Sequence, residues 1–223
     1  GEIFYYGDSH NNPWGNKSKQ ELKSILLTIK DWFKSHQIDG IYSGCNTTLS
    51  LFQKELPLIF EVPVFNILQN TQHFYEENEY TALSTQNSYD YQLFKTFLEK
   101  KEIQEIACKN LASLIEKNQI NDAIETASEY IKTSKFKSII LGCTHYPLIL
   151  NELEKKFPEK TFIDPATYLD TSALEFDTSK NIKIEFKTSG NLITFKRILN
   201  THLSLSKYTL NAKEYTNTEQ LVK

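Results

Sequence analysis

The chain has 223 residues, 39% of them hydrophobic and 24% charged, with a formal net charge of -3. That balance is ordinary for a soluble protein with a real core, in one large domain or two small ones, and a single arginine, Arg197, leaves no basic surface for nucleic acid. No apolar run approaches a membrane span, no signal peptide opens the chain, and three cysteines without close spacing make no disulfide framework, so a reduced, cytoplasmic setting without a membrane partner is expected.

The chain contains no methionine and opens directly in Ile3-Phe4-Tyr5-Tyr6, which reads as a strand, so further residues upstream are expected. The turn-rich run Gly7-Asp8-Ser9-His10-Asn11-Asn12-Pro13-Trp14-Gly15 that follows is either a plain surface turn or a ligand loop at a strand's end. Asp8, Ser9 and His10 are sequence neighbours, unlike the members of a hydrolytic triad, which converge from separate segments. Leu22, Ile25, Leu26, Ile29 and Phe33 recur at three- and four-residue steps and predict a helix over residues 18–36, with Ser18 and Glu21 forming a capping box. Residues 38–43 read as the strand feeding Cys45, residues 48–54 as a short helix, and residues 58–60 and 62–65 as extended chain.

A strand over residues 79–84 runs into Thr85-Gln86-Asn87-Ser88, after which Ser88 or Asp90 caps a helix through Leu98. Cys108 falls inside the apolar pattern of residues 103–115, where it is most simply a small buried hydrophobe. Ala123, Ile124, Ala127 and Ile131 share one face of a helix over residues 120–134, and residues 136–141 form the strand leading to Cys143. Pro147 lies in the first turn of the next helix, where its missing N–H costs little. The remaining elements are a strand at 161–164, a linker at 176–181, a strand at 182–186, a helix at 192–199 and a polar, fraying tail from Ser206.

Strands alternating with helices predict an α/β fold with parallel sheets covered on both faces, which bind ligands beyond the carboxyl ends of their strands. The polar clusters at residues 8–15, 45–48, 85–88 and 143–145 all fall at such ends. One pattern occurs twice: Ile41-Tyr42-Ser43-Gly44-Cys45-Asn46-Thr47 and Ile139-Ile140-Leu141-Gly142-Cys143-Thr144-His145. Its repetition predicts two similar lobes with the site between them, the first built from residues 1–64 plus 168–223 and the second from residues 65–167.

A cysteine at a strand-to-helix turn meets N–H groups that stabilise a thiolate. A free thiol of pKa near 8.5 is roughly 3% thiolate at pH 7, and such donors raise that fraction. Two thiols facing each other suit a stereoinverting proton transfer that needs neither metal nor organic cofactor. The rivals are a zinc site at Cys45, Cys143 and His145, which lacks the usual ligand spacing; a Cys-His nucleophile pair, which leaves the other Gly-Cys unit unexplained; and two buried structural cysteines, against which the duplication and polar flanks count.

The chain resembles glutamate racemase, of the aspartate/glutamate racemase superfamily. The resemblance is carried by Tyr6-Gly7-Asp8-Ser9 through Pro13-Trp14-Gly15-Asn16-Lys17-Ser18, by Cys45-Asn46-Thr47, by Ala107-Cys108 through Leu114-Ile115-Glu116, by the specific run Leu141-Gly142-Cys143-Thr144-His145-Tyr146-Pro147-Leu148, and by Ile163-Asp164. It implies cofactor-independent interconversion of L- and D-glutamate, supplying D-glutamate for peptidoglycan and hence cell wall biogenesis and cell shape. It also implies a homodimer. Cys45 and Cys143 take the place of the catalytic thiols, with His145 and Glu116 assisting the acid–base chemistry. Trp14, Gly15, Asn46, Thr47, Thr85, Ser88, Thr144 and His145 fall on substrate-binding positions. Trp14 replaces the family's usual Tyr, and Ser88 stands where Thr is common. The family's opening strand and Asp-Ser-Gly-x-Gly-Gly turn, with a crossover helix roughly 30 residues long in all, has no counterpart in this sequence. That absence and Trp14 motivate one alternative, a non-catalytic homologue that binds a ligand or protein; Trp14 and Ser88 motivate another, a racemase for aspartate or a related amino acid.

Overall fold

A computed structural model describes residues 2–169, 183–202 and 210–214. The chain divides into two compact units, Gly1–Asn12 with Ser172–Lys223, and Pro13–Thr171.

In the smaller unit, strand β1 (Glu2–Gly7) pairs in parallel with β8 (Lys183–Thr188), and β8 pairs in parallel with β9 (Leu210–Glu214) across helix α9 (Leu192–His202). Phe186, Phe195 and Leu199 are its buried core. The tail was expected to fray from Ser206, yet Leu210 opposes Ile184 in a regular ladder. The backbone hydrogen bonds of a neighbouring strand order a stretch whose own side chains carry no strand pattern. The expected linker at 176–181 lies outside the described residues.

The larger unit opens with α1 (Lys19–Lys34), whose Ser18 side chain accepts the Glu21 N–H while the Glu21 carboxylate accepts the Ser18 N–H, the capping box expected. Its buried Leu22, Leu26 and Ile29 form the apolar stripe, and Leu22 and Leu26 pack with α2 (Asn46–Phe52) and α3 (Leu56–Phe60). Residues 58–60 were expected to be extended. They are helical because the Ile59 N–H reaches Glu55 O at 2.8 Å, and Leu56 and Ile59, three apart, both enter the α1 cluster. Glu61, in the left-handed region, stops the helix, and the chain enters β3 (Val64–Asn66), which pairs in parallel with β2 (Ile41–Ser43).

Next comes a four-stranded, wholly parallel sheet of β4 (Glu79–Ser84), β5 (Glu102–Ala107), β6 (Ser138–Gly142) and β7 (Thr161–Ile163), in the order β5-β4-β6-β7. The apolar pattern of residues 103–115 is thus a strand followed by α6 (Leu111–Glu116). Alternate residues of β4 enter different clusters: Leu83 joins Leu111, Ile131 and Tyr146, from α6, α7 (Ile120–Lys132) and the turn after β6, whereas Tyr80 and Ala82 join Leu49, Phe94 and Ile140. The helix expected from Ser88 or Asp90 through Leu98 is two pieces, α4 (Gln86–Asp90) and α5 (Leu93–Phe97), broken at Gln92, which is left-handed. Thr85, not Ser88 or Asp90, caps α4 by accepting the Ser88 N–H. After β6 a 3-10 turn (Tyr146–Ile149), with Pro147 near its start, leads into α8 (Leu150–Lys156).

Among the described residues no helix is long and apolar enough to cross a membrane.

Candidate active site

Both Gly-Cys turns belong to the larger unit. Cys45 follows β2 and is the N-cap of α2; Cys143 follows β6. Cys45 is half-buried and Cys143 is buried, and both are free thiols. Burial pushes the Cys45 thiol up. The Thr48 hydroxyl and the N–H groups of Thr48 and Thr47 pull it partly back, and the charge of Cys143 adds to the rise. Cys45 is therefore harder to ionise than a free thiol. The turn donors expected to enrich the thiolate are present at Cys45, but desolvation outweighs them.

Asn46 joins the two turns. Its Nδ2 donates to Gly142 O at 3.1 Å, linking the residue after one cysteine to the residue before the other. Its Oδ1 is buried without a hydrogen-bond partner among the described residues. Beside it runs a line of buried hydroxyls: Thr47 Oγ1 lies 3.0 Å from Thr85 Oγ1, which donates to Ser88 Oγ at 3.0 Å. Gly15 presses on this line so closely that a Cβ there would lie 2.5 Å from Thr85 Cβ. Only glycine fits that approach.

Behind Cys143 stands a second line. Cys143 Sγ is 3.7 Å from His145 Nδ1, and His145 Nε2 is 2.9 Å from Glu116 Oε2. Burial works against a charged His145, but the sulfur and the carboxylate, one at each ring nitrogen, outweigh it and raise its pKa to about 10. An ionised Glu116 accepts the Nε2 proton, which leaves Nδ1 to trade a proton with Cys143. Cys45 has hydroxyl and amide donors instead, so the two thiols are chemically unequal.

Of the residues marked from the sequence, Cys45, Asn46, Thr47, Thr85, Ser88 and Gly15 gather in one connected group, and Cys143, His145 and Glu116 form a line joined to it through Asn46 and Gly142. Thr144 is exposed at the Cys143 turn. The Trp14 indole packs against the α1–α2 cluster, while its carbonyl accepts from Asn87 Nδ2. Asn87, inside the polar cluster 85–88, and Asn16, inside the motif beginning at Pro13, were not marked as site residues from the sequence. Asn87 also donates to Lys17 O at 2.9 Å and Asn16 to Lys109 O at 3.1 Å, so two amides tie the Trp14–Asn16 turn and its flank to helix α4 and to the loop after β5. Cys108 is buried in the core, as its apolar setting implied. In the smaller unit, the Asp8 carboxylate accepts from Asn11 and from the Ser189 hydroxyl, so the loop after β1 interlocks with the turn after β8. Among the described residues no group of three or more His, Cys, Asp or Glu is arranged to hold a metal.

No family model matches the chain. Curated relatives do: glutamate racemase from Prochlorococcus marinus (strain NATL2A) is 28% identical over 96% of this chain and 90% of its own length. The enzyme of Thermoanaerobacter sp. (strain X514) is also 28% identical, over 87% of this chain and 80% of its own. The likeness is to glutamate racemases. Among solved structures, the glutamate racemase isoform RacE1 of Bacillus anthracis superposes with a TM-score of 0.80 at 19% identity, covering 97% of this chain and 88% of that one. The Francisella tularensis glutamate racemase, solved in complex with D-glutamate, gives 0.79 at 19% identity over 96% of this chain and 88% of its own. An aspartate racemase from Picrophilus torridus gives 0.56 over 75% of this chain and 74% of its own. At these identities the superpositions show the parallel α/β fold alone.

Proposed function

We propose that this chain is an isomerase that interconverts L- and D-glutamate by proton transfer between Cys45 and Cys143, without a cofactor, and that its D-glutamate goes to peptidoglycan. The observation that carries the reading is the Asn46 bond to the Gly142 carbonyl, which joins the two Gly-Cys turns, with His145 and Glu116 lined up behind Cys143. When the shared proton sits on His145, Cys143 is a thiolate and takes the Cα proton from one face. The electron pair left on carbon spreads into the α-carboxylate, and the Cys45 thiol, kept protonated by burial, returns a proton to the opposite face. The reverse reaction swaps the roles. In this reading Trp14, Gly15, Asn46, Thr47, Thr85, Ser88, Thr144 and His145 supply the polar surroundings of the substrate, the buried, unpartnered Oδ1 of Asn46 marking unused acceptor capacity beside the two turns.

The division into lobes at residues 64 and 167 belongs to the same proposal: the four-stranded sheet falls within residues 65–167, although residues 13–64 group with it in one compact unit. So do a homodimer and a cytoplasmic setting. The relatives do not favour an aspartate racemase or a non-catalytic homologue. Reduced protein incubated with D-glutamate in D2O is expected to decay in circular dichroism and to accumulate deuterium at Cα. Cys45→Ser and Cys143→Ser should each lower the racemisation rate by about 10²–10⁴-fold, the usual worth of a positioned acid or base. Substrate recovered with neither deuterium nor inversion would overturn the reading.

A further inference from the structure

Glu105 is a buried carboxylate on β5, far in sequence from both cysteines. Its Oε1 accepts the N–H of Lys95 at 2.8 Å, so the carboxylate sits on the first turn of α5. That helix has no cap of its own: it starts from the left-handed Gln92, whose side chain makes no capping bond. The orphan N–H groups of a helix start need an acceptor, and here a neighbouring strand supplies it. Glu105 Oε2 has no partner among the described residues, so the carboxylate is not explained by a salt bridge.

What α5 holds is Phe94, which is fully buried. Its ring edge occupies the space beside Gly142, where a Cβ would lie 2.5 Å from Phe94 Cε2 and 2.6 Å from Leu83 O. Gly142 is therefore gripped twice, by the ring at its Cα and by Asn46 at its carbonyl, and the next residue is Cys143. We propose that Glu105 is a positioning residue for Cys143: by capping α5 it seats Phe94 against Gly142 and so fixes the peptide that carries the sulfur. The inference rests on reading Cys143 as a reactive thiol.

The test compares Glu105→Leu, which keeps volume and loses the acceptor, with Glu105→Gln, which keeps an oxygen for the Lys95 N–H. Glu105→Leu should lower kcat for D-glutamate about tenfold with KM within about twofold, because small misplacements of a reacting group cost rate more than binding. Iodoacetamide labelling, followed by mass spectrometry at each cysteine, should run at least about threefold faster at Cys143, with Cys45 and Cys108 within about twofold, as a loosened turn admits the reagent. Glu105→Gln should restore both readouts to within about twofold of the parent, since it still caps the helix. Should Glu105→Leu fail to fold, Phe94→Leu applies the same test one contact nearer the sulfur. Unchanged labelling at Cys143, equal acceleration at all three cysteines, or no rescue by Glu105→Gln overturns the proposal. Because labelling needs no turnover, a parent without racemase activity would sink the functional reading and still leave the positioning role decided.

Discussion

His145 shows how little a residue's ordinary pKa says once its two nitrogens are occupied. Its pKa of about 10 in the fold, against 6.5 without partners, means that charging it stabilises the folded chain. The sign follows from linkage: this contribution is fully present below pH 6.5 and is lost as pH rises through about 10. His145 and Glu116 are 26% and 25% exposed, so solvent screens the pair and about 1 kcal/mol is a fair size for it. Glu116→Gln removes the negative partner at Nε2 and should bring the His145 pKa down. Urea melts should then show the variant less stable than the parent near pH 6, with the gap closing towards pH 10. The alkaline limb of the kcat profile should move to lower pH. A variant with the parent's profile would mean that Cys143 alone governs the imidazole.

Helix α1 illustrates an element written almost wholly in its own sequence. Ser18 and Glu21 close both ends of the capping box, and Leu22, fully buried, heads the stripe that meets α2 and α3. Ser18→Ala should cost about 1 kcal/mol, and Leu22→Ala about 2–5 kcal/mol, both measured by chemical denaturation. A cost for Ser18→Ala near zero would show that packing alone holds the helix. Elements beside α1 behave differently. Residues 58–60 carry a bulky apolar run that suits a strand, yet they are helical because Leu56 and Ile59 are drawn together into the α1 cluster. The chain between Ser88 and Leu98 lacks proline and glycine, and still breaks at Gln92 because α5 takes its cap from β5 rather than from its own flank.

For the protein as a whole, the proposed chemistry makes demands that purified material can meet or fail. Exhaustive dialysis against EDTA should leave the rate unchanged, since thiols, imidazole and carboxylate supply every proton moved. A loss restored by a divalent metal would contradict the cofactor-independent reading. Light scattering during gel filtration should report the mass of two chains, and a monomer retaining full activity would remove the dimer from the proposal.

The alternation of apolar strands with amphipathic helices, the capping box of α1 and the doubled Gly-Cys turn were all legible before any coordinate, because each depends on residues within one turn or one strand of each other. The parallel α/β class followed from that alternation, and so did the pair of candidate thiols. Contacts between distant segments were not legible: Asn46 on the Gly142 carbonyl, Gly15 against Thr85, Asn16 and Asn87 tying a turn and its flank to a loop and a helix, Glu105 capping a helix that precedes it, and β9 completing a ladder. The direction of the Cys45 shift belongs with them. Donors at a helix start can be read from neighbours in the chain, but the burial that outweighs them is made by the whole fold.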